Sequence, residues 1–151
     1  MGEVINLVND YKVDNVIFNC GEYNDLENEL IDVLDKKHIE YYSCIKELNI
    51  DGNKLYFLND KDYDNENDNS SVVYMKFNNH KFLFMGDAGV EVEEDLIEKY
   101  NLQDIDVLKV GHHGSKTSSS KNFINEINPK YSIISVGKNN RYGHPNKEIL
   151  N

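Results

Sequence analysis

The chain has 151 residues, with 27 acidic against 16 basic side chains and a formal net charge of −11. That length is one domain or part of one, with room for a real core. The acidic balance argues against an extended basic nucleic-acid surface. No apolar run approaches the roughly 18 residues of a membrane span, so a soluble chain is expected. Cys20 and Cys44 lack CxxC spacing and are expected as unpaired thiols in a reducing compartment.

In chain order, residues 3 to 11 place Val4, Ile5, Leu7 and Val8 at mainly helical spacing. A short strand, Asn15 to Phe18, follows. Leu26, Leu30, Val33 and Leu34 then mark a helix. Asn24 or Asp25 suits its start, and Lys36 and Lys37 suit its end. His38 reads as a residue just past that end. Glu40 to Ser43 and Lys54 to Leu58 read as strands, split by turn residues Asn49 to Asn53. The acidic stretch Asn59 to Asn69 lacks the Gly and Glu positions of an EF-hand loop, so it is expected as a solvated loop.

SSVVYMKF and HKFLFMG form a strand pair joined by Asn78 and Asn79. His80 beside that turn is expected to be exposed and inert. Residues 90 to 100 form an amphipathic helix, and Asp106 to Val110 a buried strand. Ser118 to Ile127 is a helix capped by Ser118 or Thr117, and Tyr131 to Val136 is the next strand. The β-α-β-α-β order from residue 82 onward predicts a layered α/β fold with helices on the sheet.

Three apolar runs each end in glycine with an acid or a histidine: Gly86-Asp87, Gly111-His112-His113-Gly114 and Gly143-His144-Pro145. Strand ends of α/β proteins open into the loops where ligands bind. Asp87, His112, His113 and His144 are therefore expected to meet at one sheet edge. Carboxylate with imidazole suits zinc, manganese or iron. The bland readings are Asp87 as a cap for the helix near Val90, and His144 as a loop residue fixed by Pro145. Ser115 and Ser118 to Ser120 offer hydroxyls at a helix start, a natural anion site. Lys138, Asn140 and Arg141 are candidate phosphate contacts. Lys109, inside an apolar strand, is expected to snorkel.

GDA (86–88), VLKVGHHGSKTSSS (107–120) and SVGKNNRYGHP (135–145) resemble the second half of the metallo-β-lactamase-fold domain in ComEC-type competence proteins and their stand-alone soluble relatives. The resemblance runs along most of the chain and is strongest from Asp68 to Pro145. It implies part of an αββα sandwich, a mixed sheet with flanking helices. It implies a site of two zinc or manganese ions, with Asp87 bridging them. One of His112 and His113 would bind metal and the other contact substrate. His113 is preferred as the ligand, and His112 with His144 as catalytic groups. Ser115, Ser118, Lys138 and Asn140 would contact substrate. The implied reaction is hydrolysis of a phosphodiester, with single-stranded DNA as the partner.

The HxHxDH-type run that supplies most ligands in that family does not occur in these 151 residues. The expectation is therefore a single-domain fragment lacking that segment and the far end of the sandwich. The competing reading is a catalytically inactive remnant acting as a binding or interaction module. Such a fragment is expected to leave an uncovered sheet edge near Asn15 to Phe18, through which it would form homo-oligomers. Its location would be cytoplasmic for a separate chain, and extracytoplasmic as part of a membrane competence protein.

Overall fold

A computed structural model describes residues 2–150. Helix α1 (Gly2–Asp10) leads into strand β1 (Asn15–Phe18), helix α2 (Asp25–Lys37) and strand β2 (Glu40–Ser43). Asn24 starts α2 through a capping box. Its Oδ1 accepts from the Glu27 N–H at 3.0 Å, while Glu27 Oε2 accepts from the Asn24 N–H at 2.9 Å. The helix ends at His38 in the left-handed conformation, φ 56°. β1 and β2 pair in parallel, Asn15 opposite Glu40 and Phe18 opposite Ser43. Val8, Phe18, Leu30 and Leu34 form the small core beneath them.

That pairing overturns the expectation of free thiols. Cys20 and Cys44 lie 24 residues apart, but each follows the end of one of two adjacent parallel strands. Their Cα atoms are 4.4 Å apart and they form a disulfide. The α2 crossover creates this closeness, and no local spacing rule announces it.

The second unit is a six-stranded sheet in sequence order: β3 (Glu47–Ile50), β4 (Asn53–Phe57), β5 (Val73–Phe77), β6 (His80–Phe84), β7 (Val107–Lys109) and β8 (Tyr131–Ile133). The first four are antiparallel neighbours, whereas β6, β7 and β8 run parallel. β3 is absent from the sequence reading, which takes its last residues as a turn. The turn is shorter: Asp51 and Gly52 take positive φ and close a two-residue hairpin. Asn78 and Asn79, also at positive φ, close β5 on β6 as expected.

Helices α3 (Val90–Lys99) and α4 (Lys121–Ile127) supply the parallel crossovers. Val92, Leu96, Phe123 and Ile127 join Leu83 and Leu108 in the main core. α4 begins later than expected, because Ser120, not Ser118 or Thr117, caps it by accepting from the Phe123 N–H at 3.2 Å. Beyond Pro145 the described chain makes turns.

The fold is mixed α/β, as expected for part of a metallo-β-lactamase-like sandwich. Among the described residues, no helix is long and apolar enough to cross a membrane. Among the described residues β1 pairs with β2 alone, so its other edge is unpaired, and a second exposed apolar area lies on the six-stranded sheet. Phe18 in β1 is buried, but Phe84 and Ile133 are 39% and 53% exposed and share one sheet face by register with Val73 and Lys109. Helices α3 and α4 cover the opposite face, where Leu83 and Leu108 point.

The disulfide closes a 24-residue separation around a four-residue core. Reduction should therefore lower the stability of the α1–β2 unit by about 3 kcal/mol. Thermal melts with and without reductant, and of Cys44→Ser, should show matched losses. Intact protein should take up no thiol label until reduced. Rapid labelling of both cysteines in untreated protein would contradict the bond.

Candidate functional site

β6, β7 and β8 are parallel neighbours, so their carboxyl ends lie at one edge. The loops at 85–89, 110–117 and 134–146 leave from that edge. Their backbones touch. The His112 N–H donates to Gly86 O at 3.0 Å, the Val90 N–H to Thr117 O at 3.1 Å, and the Asn146 N–H to Gly114 O at 2.8 Å. Two glycines permit this approach. A Cβ at Gly111 would lie 2.9 Å from Ala88 O. At Gly114, with φ +78°, it would lie 2.8 Å from Pro145 Cβ.

Asp87, His112, His113 and His144 all line one open cleft of about 780 Å³. His113 Nε2 lies 3.5 Å from Asp87 Oδ1. The other ring nitrogen, Nδ1, is 2.7 Å from Ser135 O. A carbonyl only accepts, so Nδ1 carries the proton in the neutral ring and the Nε2 lone pair faces the carboxylate. Asp87 is not a helix cap, since Gly89 occupies that position without a side-chain bond. Its N–H is held by Ser70 Oγ at 3.0 Å. Both His112 (φ 45°) and His113 (φ 54°) have left-handed backbone within the turn Gly111–Gly114. His112 Nδ1 is 3.4 Å from Thr117 Oγ1, and its ring meets His144 edge-on at 5.8 Å. His144 stacks on Tyr142 at 5.7 Å, and its Nδ1 is buried without a hydrogen-bond partner among the described residues.

The expected substrate contacts divide. Ser115 borders the cleft, with Oγ 3.0 Å from Thr117 Oγ1. Ser118 does not; it is buried, and its hydroxyl lies within hydrogen-bond reach of Gly111 O and Ser115 O. Asn140 staples its own loop. Its amide donates to Gly137 O and His144 O, and its Oδ1 accepts from the His144 N–H. Lys138 is exposed outside the cleft lining, where Lys116 stands instead.

Sequence reasoning missed two buried carboxylates. Asp68, in the supposedly solvated loop, accepts from the Gly89 N–H at 2.7 Å. Only its place at the start of the strongest resemblance hinted at this. Glu93 on α3 accepts from the N–H groups of Ser119 and, at 2.8 Å, of Ser120. It fixes the serine loop behind the histidines. Burial pushes its carboxyl above the usual range, against the lowering effect of those two bonds.

Among the described residues, no third His, Cys, Asp or Glu joins Asp87 and His113 in a metal-binding cluster. The pair still fits an ion. Two ligand atoms each about 2.0–2.2 Å from a tetrahedral zinc sit about 3.4 Å apart, close to the separation found.

A glycine-aspartate loop and a double-histidine turn thus stand side by side at adjacent strand ends of a mixed α/β sheet. Residues 42–138, more than half of the chain, match the metallo-beta-lactamase superfamily, and the chain belongs to it. It is similar to ComE operon protein 3 of Bacillus subtilis, 42% identical over 85 residues, which are 56% of this chain and 11% of that protein. Competence protein ComA of Neisseria gonorrhoeae is 39% identical over 105 residues, 67% of this chain and 15% of that protein. Recombination protein 2 of Haemophilus influenzae is 36% identical over 85 residues, 56% of this chain and 10% of that protein. The chain thus spans a small part of these relatives, which include the competence proteins expected from the motifs.

Glu93 gives the site a pH signature. A carboxyl raised by folding adds stability below its unfolded pKa, and that increment is lost as pH rises through its folded value. The stability of the parent chain relative to Glu93→Gln should therefore fall as pH rises above the ordinary glutamate value of about 4.3. Urea titrations of both proteins across that rise measure it. A difference that rises with pH would mean that the two backbone bonds outweigh burial.

Proposed function

We propose that the cleft is one side of a metal-dependent phosphodiesterase site, with Asp87 and His113 as metal ligands. The contact between them carries the reading. Two electron-pair donors face each other at 3.5 Å, and the far nitrogen of the ring is committed to Ser135 O. A cation between its members would satisfy such a pair, and a backbone carbonyl on the far ring nitrogen is how histidine metal ligands are commonly oriented. One carboxylate and one imidazole suit zinc or manganese.

Two ligands fall short of the four, or three plus water, that a stable zinc site takes. In this reading the other ligands come from an HxHxDH-type run outside these 151 residues. A groove of about 530 Å³ along Val16, Ile17 and Phe18 reaches Asp87, which gives such a segment a place to lie. The bound ions would lower the pKa of water and offset charge on a phosphoryl oxygen. The chain's own part is orientation. Ser135 O fixes the His113 tautomer, and Ser70 holds the Asp87 backbone. His112, beside Thr117 Oγ1, is positioned to bind or protonate a phosphate oxygen, with His144 packed behind it.

The relatives named for competence and recombination support a nucleic-acid phosphodiester, with single-stranded DNA as the substrate. The Cys20–Cys44 disulfide supports an oxidising location outside the cytoplasm. The second reading, a module that binds without turnover, is favoured by the two-ligand count and the partly exposed apolar sheet face. Such a face is also a route to self-association.

Zinc binding by this chain should be weak, and chelator competition should show at least a tenfold loss in Asp87→Ala or His113→Ala. Turnover of a phosphodiester reporter with zinc or manganese should be negligible for the 151 residues. It should appear in a longer protein that carries the HxHxDH-type run, and vanish there in Asp87→Ala. Robust chelator-sensitive turnover by the present chain would show that no further ligands are required. Equal zinc affinity in both variants would remove the metal reading.

A further inference from the structure

Tyr142 stands apart from the other exposed aromatics. It is 64% exposed, similar to Tyr11 at 69% and Tyr131 at 61%. Of these three, only Tyr142 lines the cleft that holds Asp87 and the three histidines. An exposed ring gains little from packing, so burial does not explain its position. The loop that presents it is nonetheless tightly built. The Asn140 side chain makes three hydrogen bonds within residues 137–144, two of them to the backbone of His144. The Tyr142 ring lies 18° from parallel to His144 at 5.7 Å, and His144 meets His112 at 5.8 Å. A row of three rings thus runs from solvent to the Gly111–Gly114 turn. The Arg141 guanidinium carbon sits 4.8 Å from the Tyr142 ring centre, and Nη2 donates to its hydroxyl.

We propose that Tyr142 is a stacking platform for an unpaired nucleobase, placed so that the attached phosphodiester reaches His112 and the Asp87–His113 pair. This rests on the phosphodiesterase reading above. Its chemistry is that of sequence-tolerant single-strand binding. Every base has a π-face, and an aromatic ring beside a guanidinium offers both stacking and a partner for the phosphate. Arg141 and Lys116 place positive charge near the cleft of a chain whose formal net charge is −11. A duplex keeps its bases stacked on one another, so the platform selects unpaired strands.

The test compares two labelled oligomers of about 12 units, one of thymidylate and one of abasic sugar-phosphate, by fluorescence anisotropy at low salt without added metal. The full chain should bind thymidylate about tenfold more tightly than the abasic oligomer, within the range of base–aromatic stacking. Tyr142→Phe, which keeps the ring, should retain that preference. Tyr142→Ala should reduce thymidylate binding to the abasic level and leave abasic binding unchanged. Equal, salt-sensitive binding of both oligomers by the parent chain overturns the platform and leaves the phosphodiester reading intact. Binding of neither oligomer overturns both. A preference that survives Tyr142→Ala places the stacking elsewhere and overturns the assignment.

Discussion

Everything at this site depends on three loop backbones lying in contact at the carboxyl ends of β6, β7 and β8. Parallel pairing places those ends at one edge, but it does not bring loops together. That takes Gly111 against Ala88 O and Gly114 against Pro145. The contact has a cost, because His112 and His113 both adopt left-handed backbone. Each such residue costs about 1–2 kcal/mol. The turn is bonded at both ends, from the His112 N–H to Gly86 O and from the Asn146 N–H to Gly114 O. At about 0.5–1.5 kcal/mol net per bond, these offset much of the cost. Strain held this firmly is a mark of functional loops. Here it aims two adjacent histidines in different directions, His113 toward Asp87 and His112 toward Thr117.

Two buried carboxylates complete the frame, and neither faces the cleft. Asp68 holds the Gly89 N–H, and Glu93 holds those of Ser119 and Ser120. Leaving those N–H groups unpaired in the interior would cost about 1–3 kcal/mol each. A water-filled alternative would loosen the loops that carry Asp87 and the histidines. The acidic composition therefore has two parts. Most carboxylates are solvated, while these two substitute for the backbone partners that irregular loops lack. A motif search looks for acids that could ligate or catalyse, and it passes over acids that cap.

Much of the frame was legible in the sequence. The α2 limits, the paired strands around Asn78-Asn79 and the alternation after residue 82 follow from periodicity and turn chemistry. Glycine beside acid or histidine at strand ends marked Asp87, His112, His113 and His144 as neighbours. What escaped depends on tertiary contact. The disulfide exists because a helical crossover sets two strand ends side by side. β3 is half polar and short, and only its hairpin partner makes it a strand. Ser118 and Asn140 have the right chemistry for a phosphate, yet the loops consume their polar atoms internally. Tyr142 had no motif of its own, and its exposure beside the cleft is visible only in three dimensions.

The charge of the chain bears on how such a cleft can take an anion. With 27 acidic and 16 basic residues, the averaged field repels phosphate. At about 0.15 M salt that repulsion decays over roughly 8 Å, so the local arrangement governs binding at contact. The cleft has Lys116, three histidines and a single carboxylate, Asp87, and Arg141 adjoins Tyr142 at its lip. Asp87 is the one group there that opposes an anionic ligand, and it is the group drawn against His113. A cation at that pair would reverse the sign of its only negative charge and turn the cleft into the positive patch of an acidic surface. The composition that argues against broad, non-specific nucleic-acid binding therefore agrees with a narrow site whose affinity for a phosphodiester a metal ion would raise further.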